Sequence, residues 1–147
     1  MNRPISTRMH GIIDLIYGFG LLLAPNLLGF KHHKIPSAVA RAFGGSALLV
    51  SLLTRYEFGI FKIVPMRVHL ILDVVKAALL AASPYLLGFH RRRRNAWLPH
   101  VIAGLASLPI PLLTQPVSPV ETQLRLSKRV EIPVQIETPA SIDQATR

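Results

Sequence analysis

RMHGIIDLIYGFGLLLAPNLLGF, residues Arg8 to Phe30, is written a second time as RVHLILDVVKAALLAASPYLLGF, residues Arg67 to Phe89. The two stretches match without a gap at 10 of 23 positions, 59 residues apart. Leucine-rich segments coincide by chance more readily than average ones. The shared set nevertheless includes Arg, His, Asp, Pro and Gly, which composition bias does not supply. The recurrence marks an internal duplication.

Both copies are strongly apolar, and so is most of the chain. The 147 residues suffice for one domain, half are hydrophobic, mean hydropathy is +0.40, and only 16% are charged, against about 25% in soluble domains. Between Gly11 and Phe30 the only charge is Asp14; between Ala42 and Leu53 there is none. A bilayer core of about 30 Å takes roughly 20 apolar residues per helix. Four such spans are predicted: Ile5 to Ala24, Pro36 to Thr54, Pro65 to Ala82 and Ala96 to Leu113. Pro4, Pro36 and Pro65 suit first helical turns, where a missing N–H costs nothing.

Each repeat is then a helical hairpin that crosses twice and returns to its starting side. The two must point the same way, related by an axis along the membrane normal. The expected fold is all-α: a four-helix transmembrane bundle of two tandem, parallel-repeat hairpins, 1–59 and 60–114. Gly44 and Gly45 of the second span allow close helix approach, and the 59-residue offset puts Gly45 on Gly104. Residues 115–147 are polar and proline-dotted, and a largely disordered tail is expected. Within it, Val130 to Glu137 alternates with period two, a strand pattern that Pro133 confines to an edge.

The net charge of +10 sits mostly between the spans and in the tail, where basic residues meet anionic headgroups. Lipid, not nucleic acid, is the expected partner, with Arg91, Arg92, Arg93 and Arg94 as its basic contact. The tail offers a surface for a second copy or another protein. There is no cysteine, which excludes thiolate chemistry and disulfides. The first apolar stretch lacks a small-x-small cleavage site and reads as a retained span. Basic residues divide almost evenly between the two sides, so orientation stays open.

Each first helix ends on a proline motif. Ser83 can cap a new turn, Pro84 suits its first position and Gly88 can supply a left-handed stop. The prediction is a break near Ser83 and an interfacial turn with Tyr85 at headgroup level. Pro25 and Gly29 repeat the device in the first copy with a poorer cap. A hairpin whose first helix closes on Ser-Pro-aromatic, an apolar turn and Gly-Phe resembles the SPW repeat family of small integral membrane proteins. The resemblance spans Arg8 to Leu113 and rests on Ser83-Pro84-Tyr85, with Ala24-Pro25-Asn26 in the other copy; Trp97 lies outside both. It implies two tandem hairpins in a membrane and no established reaction.

His10 and Asp14 are four residues apart, as are His69 and Asp73, which puts each pair on one helix face. Asp14 and Asp73 should lie about two turns into their spans, where an ionisable group is costly unless paired. Three readings are open. The carboxylates can clamp helices together, with Lys76 at i+3 as the partner of Asp73. Two His and two Asp can converge as a metal site, although Arg8 and Arg67 stand near in sequence. The pairs can also relay protons or ions. His32 and His33 lie between lysines and read as a solvated loop. No phosphate loop, nucleophile elbow or zinc-protease pair is present. The expected protein is a non-enzymatic, cofactor-free, multi-pass protein of a prokaryotic plasma (inner) membrane, structural or interaction-mediating. The alternative is a small transporter, channel or metal- or proton-handling protein.

Overall fold

The structure, a computed structural model, describes residues 3–130. In chain order the helices are α1 (Thr7–Leu27), α2 (Lys34–Leu53), α3 (Met66–Leu86), α4 (Arg94–Ser107), α5 (Pro109–Leu113) and α6 (Pro119–Val130). Among the described residues there is no strand, only two isolated parallel bridges, Ile5 to Thr114 and Thr54 to Val64. The fold is all-helical.

Three runs are long and apolar enough to cross a membrane: Thr7–Leu27, Lys34–Leu53 and Arg94–Leu113. The last joins α4 and α5, because Leu108 keeps α-helical dihedrals ahead of Pro109. Four had been expected. α3 matches α1 in length, but Arg67, Asp73 and Lys76 interrupt its apolar run of sequence. The outward faces are oily. On α1, Ile12, Ile16, Phe19, Leu23 and Leu27 are all exposed and fall three or four residues apart, one stripe along the helix. On α3, Val68, Ile71, Leu72, Val75 and Leu79 are exposed likewise.

The predicted break near Ser83 is absent. α3 runs through Pro84 to Leu86, and α1 runs through Pro25 to Leu27. A proline inside a helix deprives the carbonyl four residues back of its donor. For Pro84 that carbonyl is Leu80 O, and the Ser83 hydroxyl donates to it at 2.7 Å. The serine repairs the helix instead of capping a new one. The stop comes at the glycines: Gly29 and Gly88 have φ of 72° and 70°, the left-handed conformation that ends helices. Tyr85 is exposed and stacks on His90.

α1 packs mainly on α2, and α3 on α4. At the first crossing a Cβ on Gly44 would stand 2.6 Å from Gly18 O; at the second, a Cβ on Gly104 would stand 2.6 Å from Ala77 O. Gly45 faces open space, so the pairing of Gly45 with Gly104 is corrected to Gly44 with Gly104. The loops explain the shift. Phe30 and Phe89 are 59 apart, whereas the helix starts Lys34 and Arg94 are 60 apart. The second loop carries one extra residue.

The ends of the helices meet in two layers. At one end, Phe30, Ala40 and Ala96 form a buried cluster, His100 Nε2 donates to Pro36 O at 3.0 Å, and Asn95 Nδ2 donates to Leu28 O at 3.0 Å. At the other end lie the starts of α1 and α3 and the two bridges. α6 belongs to that end, where a disordered tail had been expected from residue 115. Ser118 Oγ accepts from Glu121 N, and Glu121 Oε2 in turn accepts from Met66 N at 3.3 Å, the first residue of α3. Glu121 is thereby buried and ties α6 to the bundle. Of the strand pattern Val130 to Glu137, Val130 closes α6 and 131–137 lie outside the described residues.

Candidate functional site

His10 and Asp14 sit one turn apart on α1, and His69 and Asp73 one turn apart on α3. The two helices bring all four together, with one ligand-type atom from each within 4.8 Å of the others. His10 Nε2 stands 3.1 Å from His69 Nε2. His10 Nε2 also lies 3.4 Å from Asp14 and 3.1 Å from Asp73. His69 Nε2 lies 3.0 Å from Asp14 and 2.9 Å from Asp73. Each imidazole thus faces both carboxylates, its own and the other helix's. Both histidines are fully buried. Asp14 lies seven residues inside α1, about 10 Å along the axis at 1.5 Å per residue.

The outer edges of the cluster are tied as well. Lys76 Nζ is 2.8 Å from Asp73 Oδ1, the i+3 partnership read from the sequence. Ser51 Oγ donates to Asp14 Oδ2 at 3.1 Å. Ser51 has one proton to give, so the Tyr56 hydroxyl beside it must donate to Ser51 Oγ. Burial pushes the Tyr56 hydroxyl up to about 12, so it stays a donor well into the alkaline range. Arg8 and Arg67 are exposed and make no ion pair among the described residues.

The imidazole tautomers follow from two threonines. Thr54 Oγ1 donates to Val50 O at 2.6 Å and meets His69 Nδ1 at 2.8 Å. Thr114 Oγ1 donates to Ile110 O at 2.7 Å and meets His10 Nδ1 at 2.9 Å. A carbonyl only accepts, so each hydroxyl proton is committed to its carbonyl. Each threonine oxygen must then accept from an Nδ1–H. Both rings are protonated at Nδ1 and present Nε2 to the centre.

The threonines cross over: His10 of the first repeat is held by Thr114 of the second, and His69 of the second by Thr54 of the first. The bridges place them. Ile5, just before α1, pairs with Thr114, and Val64, just before α3, pairs with Thr54. Ile5 and Val64 are 59 apart and the threonines 60, the same registers found elsewhere. Neither threonine, nor Ser51 or Tyr56, stood out in the sequence. Continuing the repeat past its one-residue insertion would have paired the two threonines.

A cavity of about 30 Å³ adjoins the cluster, lined by His10, Asp14, Tyr17, Asp73, Lys76 and Ser107 among others. It is large enough for water and offers the polar partners that buried water requires. The other sequence candidates lie elsewhere. Pro25 and Pro84 are buried in their helices, Gly29 and Gly88 end them, and Arg91 to Arg94 are exposed, the first three in the loop leading into α4 and Arg94 at its first position.

No curated protein and no solved structure matches the chain. The family model of the SPW repeat domain matches residues 8–114, the region that holds both helix pairs and the whole His–Asp cluster, and the chain belongs to that family.

Proposed function

We propose that this SPW repeat protein is a multi-pass integral membrane protein of a prokaryotic plasma membrane, with a non-enzymatic, structural or interaction-mediating role. In this reading all four long helices span the bilayer, α3 included, as two tandem hairpins of like direction, 1–59 and 60–114. Residues 115–130 form an appendage on the side of the helix starts α1 and α3. The carrying observation is the reciprocal cluster: His10 and Asp14 of one hairpin against His69 and Asp73 of the other. Such a four-way contact is what a pseudo-two-fold between parallel hairpins would produce. The charges of α3 support a span, because Asp73 is paired with Lys76 and the cluster faces inward, the condition under which membranes accept ionisable groups.

The cluster acts here as a clamp. Removing one member of a buried ionic set leaves its partners unsatisfied, which costs about 3–5 kcal/mol. Arg91 to Arg94, exposed beside a helix start, would contact anionic headgroups at about 1 kcal/mol per residue. The test has two arms. Alkaline carbonate should leave the protein in the membrane pellet, and single cysteines placed at residues 32 and 91 should be labelled from one side, those at 3 and 61 from the other. Release by carbonate, or labelling of 32 and 91 from opposite sides, overturns the reading.

A further inference from the structure

We propose that His10, His69, Asp14 and Asp73 bind one first-row divalent cation, zinc being the best match. The proposal deepens the clamp by naming what sits at its centre.

The two imidazoles turn Nε2 inward, and the two carboxylates turn oxygens to the same point. With Nδ1 committed to its threonine, each Nε2 can either carry a second proton and donate to the carboxylates, as in the clamp, or lose it and offer a lone pair to a cation. Lys76 takes the outer oxygen of Asp73, Oδ1, while Ser51 donates to Asp14 Oδ2, the oxygen that also faces His69. Two carboxylates facing one point call for positive charge, which Nε2–H protons supply in the clamp and a cation can replace; two imidazole nitrogens with two carboxylate oxygens suit a borderline cation such as zinc, manganese or iron. The dimensions agree. In a tetrahedron with metal–ligand bonds of about 2.0–2.1 Å, ligand atoms are about 3.3 Å apart. The two Nε2 atoms and Asp73 Oδ2 lie 2.9–3.1 Å from one another, and Asp14 closes the set with Oδ1 3.4 Å from His10 and Oδ2 3.0 Å from His69, so one of its oxygens would turn to the ion.

The surroundings carry a second, independent mark. Metal-bound histidines almost always donate their other N–H to a fixed acceptor, which sets tautomer and ring orientation. Thr54 and Thr114 do this for His69 and His10, each locked by its own carbonyl bond. Two carboxylates balance the cation's charge. Lys76 occupies the outer oxygen of Asp73 and leaves the inner one free, a monodentate arrangement. Arg8 and Arg67 are exposed and pair with neither carboxylate. The adjoining cavity of about 30 Å³ admits a water to the site's open side.

The test uses full-length, untagged protein in mild detergent, with His32→Ala and His33→Ala introduced so that loop imidazoles do not contribute. After stripping with chelator, cobalt(II) is titrated as the probe and zinc by competition. One cobalt per chain with the visible bands of a tetrahedral site is expected. His69→Ala and Asp73→Asn should abolish it. Thr54→Val and Thr114→Val preserve side-chain shape and should weaken binding about 10- to 100-fold without changing stoichiometry. Should His69→Ala fail to fold, the threonine variants carry the test. Folded, stripped protein that takes up no cobalt overturns the proposal, as does uptake indifferent to both threonines and to Asp73→Asn. The clamp is judged separately: stripped protein that binds no cobalt yet unfolds on Asp14→Asn keeps the clamp and loses the metal. Cobalt binding with stability indifferent to Asp14→Asn does the reverse.

Discussion

His10 Nε2 and His69 Nε2 stand 3.1 Å apart, one contributed by each copy of the duplicated segment. Neither can be removed without stranding carboxylates that face both. His10→Ala and His69→Ala should each lower unfolding stability in detergent by about 3–5 kcal/mol, the cost of leaving buried charged groups unsatisfied. The double variant should cost less than the sum, because the second removal acts on a cluster already broken. Strict additivity in a thermal or denaturant unfolding cycle would show that the two rings act independently.

The glycines give a paired prediction. A methyl on Gly44 would lie 2.6 Å from the carbonyl oxygen of Gly18, which is backbone and cannot rotate away. Gly44→Ala should therefore force α1 and α2 apart and destabilise by about 1–3 kcal/mol. Gly104→Ala meets Ala77 O at the same distance and should behave alike. Gly45→Ala has nothing within 4 Å and should be neutral or mildly stabilising, since alanine is the better helix former. Unfolding midpoints of the three variants check this. Equal losses at Gly44 and Gly45 would place the crossing wrongly.

What was legible in the sequence follows from what repeats. The all-helical class, the partnership of Asp73 with Lys76, and the left-handed glycines Gly29 and Gly88 were each readable, because each is a local property of spacing or residue type. The convergence of the two His–Asp pairs was one of several open readings, because a pair on one helix face does not say which neighbour it meets. The threonines were not legible. They belong to the ends of second helices, and an insertion in the loop after Phe89 breaks the register that would have aligned them. The proline break was misjudged for a different reason. Ser83 was read as a cap for the turn after it, but its hydroxyl serves the carbonyl three residues before it. That choice is made by the helix around it. The tail was misjudged at Glu121, whose partner Met66 N is 55 residues away in sequence.

Tyr56 should give the protein a sensitivity to alkali. Its hydroxyl ionises at about 12 in the folded chain, against 10.0 when free, because burial disfavours the phenolate. A raised value means that the neutral form stabilises the fold, fully below pH 10 and progressively less as pH rises towards 12. Unfolding stability should fall over that window in the wild type, with the loss accompanied by tyrosinate absorbance. Tyr56→Phe should remove part of the pH slope while lowering stability at neutral pH, since Ser51 loses its donor. An identical slope in the variant would assign the alkaline loss to other groups.

Glu121 makes the last prediction, because it is the single buried acid of α6 and serves three groups at once. Its own N–H is held by Ser118 Oγ, its Oε2 accepts from Met66 N, and its Oε1 pairs with Arg125 at 2.6 Å. The pairing with Arg125 is largely solvent-exposed on the arginine side, so it contributes little. The contact with Met66 N is different: it supplies an acceptor to the first turn of α3, whose N-terminal N–H groups have no partner within the helix. Glu121→Ala should therefore detach α6 and fray the start of α3. Hydrogen exchange should rise at Met66 and Arg67 and across 119–130, with α2 and α4 unchanged, and protease should cut first near Lys128. Arg125→Ala should leave exchange at Met66 as it was. Detachment of α6 by Arg125→Ala alone would mean that the exposed ion pair, not the buried cap, holds it in place.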